Sequence, residues 1–110
     1  MSHGLPFADK ARIDESKITD YLLNLAKSRG KAGFFLRFGF SIEDWRAMIR
    51  ALADHGRNGA VAAIVESEHG TRYSVDGPLD TPSGRRPVVR TVWIVEHGAE
   101  YPRLITAHPL

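Results

Sequence analysis

The sequence predicts an α+β domain: two N-terminal helices packed on one face of an antiparallel sheet of about four strands. Two observations predict it. Apolar residues repeat at helical spacing up to Leu52, and after Gly59 the pattern turns to strand-like runs rich in β-branched residues. Those runs follow one another through connections too short for parallel crossovers, so neighbouring strands must be antiparallel.

The elements follow in order. Residues 1–12 read as a loosely ordered lead-in, and residues 13–110 as the single domain. Asp14 is placed to cap a first helix. Ile18, Tyr21, Leu22 and Leu25 then fall at i, i+3, i+4 and i+7 as one apolar stripe, which Gly30 ends. The aromatic segment Phe34–Phe40 is ambiguous in type and also reads as a buried connector plugging one end of the core. Ser41 with Asp44 resembles a capping box for a second helix, whose stripe is Trp45, Met48, Ile49 and Leu52 and whose stop is His55-Gly56. Strands are then expected over Ala60–Val65, Thr71–Val75, Pro87–Val95 and Leu104–Ala107. Turns fall at Glu68-His69-Gly70, Pro82-Ser83-Gly84 and Glu96-His97-Gly98, and Asp76-Gly77 is also read as turn chemistry.

At 110 residues there is material for one modest core. The absence of cysteine excludes disulfides and thiolate metal sites. No His-Glu-x-x-His spacing, P-loop, dinucleotide fingerprint or nucleophile elbow is present, so neither metal nor cofactor is expected. No apolar run approaches a transmembrane length and the N-terminus lacks a signal-peptide core, so a soluble, cytoplasmic protein is expected, with no membrane partner. The net charge of +2 is too small to argue for duplex DNA. Its distribution is more informative. Residues 21–42 contain no acid but carry Lys27, Arg29, Lys31 and Arg37, and residues 81–95 contain none but carry Arg85, Arg86 and Arg90. Such zones suit a phosphate-sized target, although solvated basic loops would look the same.

Arg90 carries the sharpest question. It lies in Val88–Val95, a run apolar on both faces and therefore expected at the centre of the sheet. A guanidinium there needs an anion, either a carboxylate of the protein or a phosphate of a ligand. Arg72 and Arg103 sit near the starts of neighbouring strands and can approach Arg90, depending on register. Thr91 and Thr106 suit strands in any case, but their hydroxyls could bind a phosphate oxygen. Lys31 stands in a basic loop and could neutralise a developing phosphorane charge. His55, His69 and His97 are placed in surface turns beside glycine, and any histidine titrates near working pH. Trp45 and Trp93 read as core.

An ordered series runs through the chain: Ala8–Asp14, Lys17–Leu23, Gly30-Lys31-Ala32-x-Phe34-Phe35, Gly39-Phe40, Gly70-x-Arg72-Tyr73-x-Val75, Val89–Ile94 and Pro102–Thr106. It resembles a bacterial family whose domain has no known function, found as small stand-alone proteins and at the C-terminal tips of contact-dependent or polymorphic toxins. For such tips the resemblance implies a fold similar to the barnase, EndoU, colicin and RelE ribonucleases, which cleave RNA without metal by 2′-hydroxyl attack on the adjacent phosphate. The matching positions are Lys31, Arg72, Arg90, Thr91, Arg103 and Thr106. Where a tyrosine is expected before Gly70 this chain has His69.

Two functions are expected from this. One is a metal-independent endoribonuclease toxin with an RNA substrate and a cognate antitoxin or immunity protein. In it Arg90 and Arg103 stabilise phosphate, Lys31 neutralises charge, His69 transfers protons, Thr91 and Thr106 orient the phosphate, and Arg72, Arg85 and Arg86 bind substrate. The other is a non-catalytic partner-binding domain in which each arginine is capped by a carboxylate. Convergence of the arginines with Lys31 would separate the two.

Overall fold

The computed structural model describes Gly4–Leu110. A 3-10 turn at Ala8–Lys10 leads into α1 (Glu15–Lys17), which runs on as a π-helical turn over Ile18–Leu22. Then come α2 (Arg29–Arg37), α3 (Trp45–Asn58) and four strands: β1 (Ala60–Ser67), β2 (Gly70–Pro78), β3 (Val88–Glu96) and β4 (Arg103–Pro109). The strands form one antiparallel sheet in the order β1-β2-β3-β4. The α+β class and the helices-first layering are thus those expected, and β3 is central.

Among the described residues the helical layer contains three α-helices. The first stripe, expected to reach Leu25, is cut short by the π turn. One extra residue per turn rotates the following side chains. Leu22 and Leu23 are therefore both buried, while Leu25 is 53% exposed. Gly30, expected as the stop, is the second residue of α2. The ambiguous aromatic segment becomes α2 and its exit. Phe35 and Phe40 enter the core, and Phe34 packs on Phe35 and Phe38 with ring centroids 5.2 and 4.9 Å apart.

The Ser41 hydroxyl accepts the Asp44 N–H at 3.2 Å, which satisfies one of the free donors before α3. That helix passes through Gly56 and ends at Asn58, with Gly59 beyond it. A Cβ on Gly56 would lie 2.8 Å from Trp93 Cζ2, so this glycine marks close packing of α3 on β3 and not a helix stop. Met48 and Leu52 of α3 join Ile18, Leu22 and Phe35 in a core laid over Val75, Val89, Trp93, Leu104 and Ala107 of the sheet.

The strands are longer than their apolar runs. In particular, Asp76-Gly77 lies inside β2, paired with Arg90 and Val89, and is not a turn. Residues of the lead-in also pack on the rest of the chain. Leu5 belongs to the core. Arg12 forms a parallel bridge with Arg103, its N–H donating to Pro102 O and its carbonyl accepting from Leu104 N–H.

Candidate functional site

Two polar centres emerge, one buried and one half-buried. The buried one involves His55, expected on the surface but only 3% exposed. Its Nε2 lies 3.1 Å from Gly77 O and 3.0 Å from Val89 O, while Nδ1 lies 3.0 Å from Thr91 Oγ1. Two carbonyls can only accept, so Nε2 carries the proton. Nδ1 then accepts from the Thr91 hydroxyl, whose oxygen accepts Trp93 Nε1–H at 2.8 Å. Each polar atom has a partner and the imidazole is neutral. Burial pushes its pKa down, opposed by the Val89 and Gly77 carbonyls. Thr91, expected to orient phosphate, is fully buried here and cross-links α3 to the sheet.

The half-buried centre lies where α2 meets β4. Lys31, in the first turn of α2, donates from Nζ to the Tyr21 hydroxyl oxygen at 2.6 Å and to Thr106 Oγ1 at 3.1 Å. Three local features build this arrangement. The π turn carries Tyr21. The Ser28 hydroxyl donates to the Tyr21 carbonyl, and its own carbonyl accepts Ala32 N–H at 2.7 Å, tying the start of α2 to the end of that turn. A bulge in β4 leaves Ile105 unpaired between Leu104, opposite Trp93, and Thr106, opposite Val92. Bulges re-aim neighbouring side chains.

The Tyr21 phenol is held below its usual pKa, first by the Lys31 hydrogen bond, then by that of Thr106, with the charges of Lys31 and Lys17 helping. Lys17 Nζ and Lys31 Nζ stand 5.2 and 5.1 Å from the Tyr21 ring centre. Such a phenol gives up its own proton more readily, and the phenolate so formed, beside an ammonium, has the character of a proton acceptor.

The arginines are placed differently. Arg90 and Asp76 are cross-strand partners joined by two bonds, Nε to Oδ1 at 2.7 Å and Nη2 to Oδ2 at 2.8 Å. The guanidinium holds the Asp76 carboxyl below its usual pKa, and Asp76 raises that of Arg90. Arg103 donates to Glu96 Oε1 at 2.9 and 3.0 Å, and Arg86 donates to Asp80 at 2.6 Å. Arg85 is exposed in the β2–β3 loop. Arg72 and Arg103 are both opposite Ile94, so the three share one row across the outer face of the sheet. His69 is in the β1–β2 turn, exposed beside Glu68 at 3.2 Å. Of the residues singled out from sequence, Lys31 meets Thr106 directly, and Thr91 meets His55 and Trp93. The arginines share a sheet face without joining Lys31, so the convergence expected of the endoribonuclease is not found, and Arg86, Arg90 and Arg103 are capped by carboxylates as expected of the partner-binding domain.

Tyr21 was hidden in the sequence because its ring fits an apolar stripe, where the hydroxyl gives no signal. Among the described residues there is no cluster of three or more His, Cys, Asp or Glu side chains able to hold a metal, and no helix long and apolar enough to cross a membrane.

No curated protein matches the chain. Among solved structures it is similar to a chain from the contact-dependent growth inhibition toxin–immunity protein complex of Klebsiella pneumoniae 342. The TM-score is 0.72 at 18% identity, covering 94% of this chain and 96% of that one. At that identity the likeness is one of fold. The family model described as "Domain of unknown function (DUF6883)" matches residues 4–110, and the protein belongs to that family.

Proposed function

We propose that the chain is a metal-independent endoribonuclease, the toxin half of a toxin–immunity or toxin–antitoxin module, with its chemistry at Tyr21, Lys31 and Thr106. The observation that carries this reading is the 2.6 Å contact between Lys31 Nζ and the Tyr21 hydroxyl. The likeness to a chain of a toxin–immunity complex supports the module and with it a cognate protein partner.

In this reading Tyr21, ionised to the phenolate, takes the proton of an RNA 2′-hydroxyl and becomes the neutral phenol. The O2′–P bond forms as the P–O5′ bond breaks, leaving a 2′,3′-cyclic phosphate, and the departing 5′-oxygen takes a proton from solvent. Lys31 neutralises the charge that builds on the phosphorane oxygens, and the Thr106 hydroxyl orients them. Arg72, exposed on the outer sheet face, and Arg85 are left to bind substrate, whereas Arg90, Arg103 and Arg86 act through their carboxylate partners on strand and loop geometry. His69 has no part in this centre.

Total RNA incubated with the purified protein in EDTA is expected to yield fragments ending in 2′,3′-cyclic phosphate, and expression without a partner to arrest growth. Intact RNA together with unimpaired growth would overturn the reading. A second reading, a non-catalytic immunity or antitoxin partner, is favoured by the capping of Arg86, Arg90 and Arg103 by carboxylates. It expects tight binding to a toxin chain and no cleavage.

A further inference from the structure

Arg12 is a cation that the proposed chemistry does not use. Two backbone hydrogen bonds hold it alongside the start of β4, N–H to Pro102 O at 2.9 Å and carbonyl from Leu104 N–H at 3.0 Å. Its guanidinium lies 3.8 Å over the centre of the Tyr101 ring. Among the described residues no carboxylate comes within salt-bridge distance of it, and the same holds for Lys17 and Lys31. By contrast the neighbouring Arg103 is tied to Glu96.

Position makes these cations a set. Arg12 is bridged to Arg103, and Lys31 reaches Thr106 on the same strand. At roughly 3.3 Å per residue the two points are about 10 Å apart along β4, somewhat less with the bulge. Two cations without carboxylate partners thus stand along one edge strand, each against a tyrosine ring, Arg12 on Tyr101 and Lys31 beside Tyr21. A planar guanidinium already stacked on an aromatic ring offers a flat, cationic second surface. That combination suits the face of an unpaired base together with its phosphate, and it tolerates any base identity.

We infer that Arg12 and Tyr101 form a binding subsite for single-stranded RNA, a short step along β4 from Tyr21, Lys31 and Thr106. The identity of the ligand rests on the ribonuclease reading above. The subsite positions the strand and takes no part in proton transfer.

The test is a fluorescence-anisotropy titration with a fluorescein-labelled twelve-nucleotide oligouridylate carrying 2′-fluoro groups, which cannot be cleaved by 2′-hydroxyl attack. Arg12→Ala is expected to weaken binding about tenfold and to lower the slope of log affinity against log salt by about 1. Arg12→Lys keeps the charge but loses the plane, and is expected to recover the salt slope without the full affinity. Tyr101→Leu should weaken binding, while Arg50→Ala, an exposed change on α3, should not. Circular dichroism melting identifies any variant that fails to fold, and Arg12→Lys then carries the comparison.

If Arg12→Ala binds like the parent, or if the parent fails to bind the probe at low salt, the subsite is wrong. If Arg12→Lys binds as tightly as the parent, the surface recognises charge alone, as an acidic protein partner would use it, and the stacking subsite is again wrong. Arg12-dependent binding in a protein that cuts no RNA would uphold the subsite and overturn the proposed chemistry instead.

Discussion

The Lys31 ammonium and the Tyr21 hydroxyl are 2.6 Å apart, and they come from segments that the π turn and the start of α2 bring face to face. The contact lowers the cost of ionising the phenol, because the charged form gains a hydrogen bond from a cation. Ultraviolet difference titration should therefore show one tyrosine ionising below the ordinary range. Lys31→Met should return it upward. Titration of Tyr21 at an ordinary value in the parent would remove the physical basis for a proton acceptor here.

His55 makes acid stability depend on the buried network. Its folded pKa is lowered by burial, so the unfolded chain binds the proton more readily. Stability is then full above the unfolded value of about 6.5 and falls as pH drops from there towards the lower folded value. Urea unfolding between pH 8 and 5 is expected to show this loss. His55→Leu should flatten the dependence while costing about 2–3 kcal/mol at neutral pH, since Thr91 and the Gly77 and Val89 carbonyls lose their partner.

The Asp76–Arg90 pair acts in a different pH window. The folded pKa of Asp76 is lowered by Arg90, so the stabilisation is present above the unfolded carboxylate value of about 3.9 and is lost as pH falls through the lower folded value. Asp76→Asn should cost about 1–2 kcal/mol at neutral pH, the pair being bidentate but about 26–32% exposed. Unfolding curves from pH 5 to 2 should be less pH-dependent in this variant than in the parent.

Gly56→Ala sets two effects against each other. Alanine favours a helix over glycine by about 1 kcal/mol. The new methyl would stand 2.8 Å from the buried Trp93 ring, and overpacking costs about 1–3 kcal/mol. Net destabilisation is expected by thermal melting, and a raised melting temperature would contradict the packing described for α3.

Much of this organisation was legible in the sequence. The change from helical to alternating period gave the layers, and the short turns gave the antiparallel order. The run Val88–Val95, apolar on both faces, marked the central strand. Lys31 and Thr106 stood out by residue type, and the structure brings them within 3.1 Å. What escaped depends on register and burial. Asp76 precedes its partner Arg90 by fourteen residues and looked like half of a turn dipeptide, and only the β2–β3 register places them opposite each other. His55 beside Gly56 looked like a helix end, because the closeness of α3 to Trp93 is set by packing between distant segments. Tyr21 was concealed because its ring fits the 3.6-residue stripe, and the π turn that carries it departs from the period on which that stripe was read.

The central claim is tested most directly by single-turnover cleavage of a defined single-stranded RNA in EDTA, comparing the parent with Lys31→Met and Tyr21→Phe at equal folded concentration. Cleavage by the parent is expected, with a drop of about two to three orders of magnitude in each variant. Cleavage at the parental rate by both variants, or none by a folded parent, would contradict it.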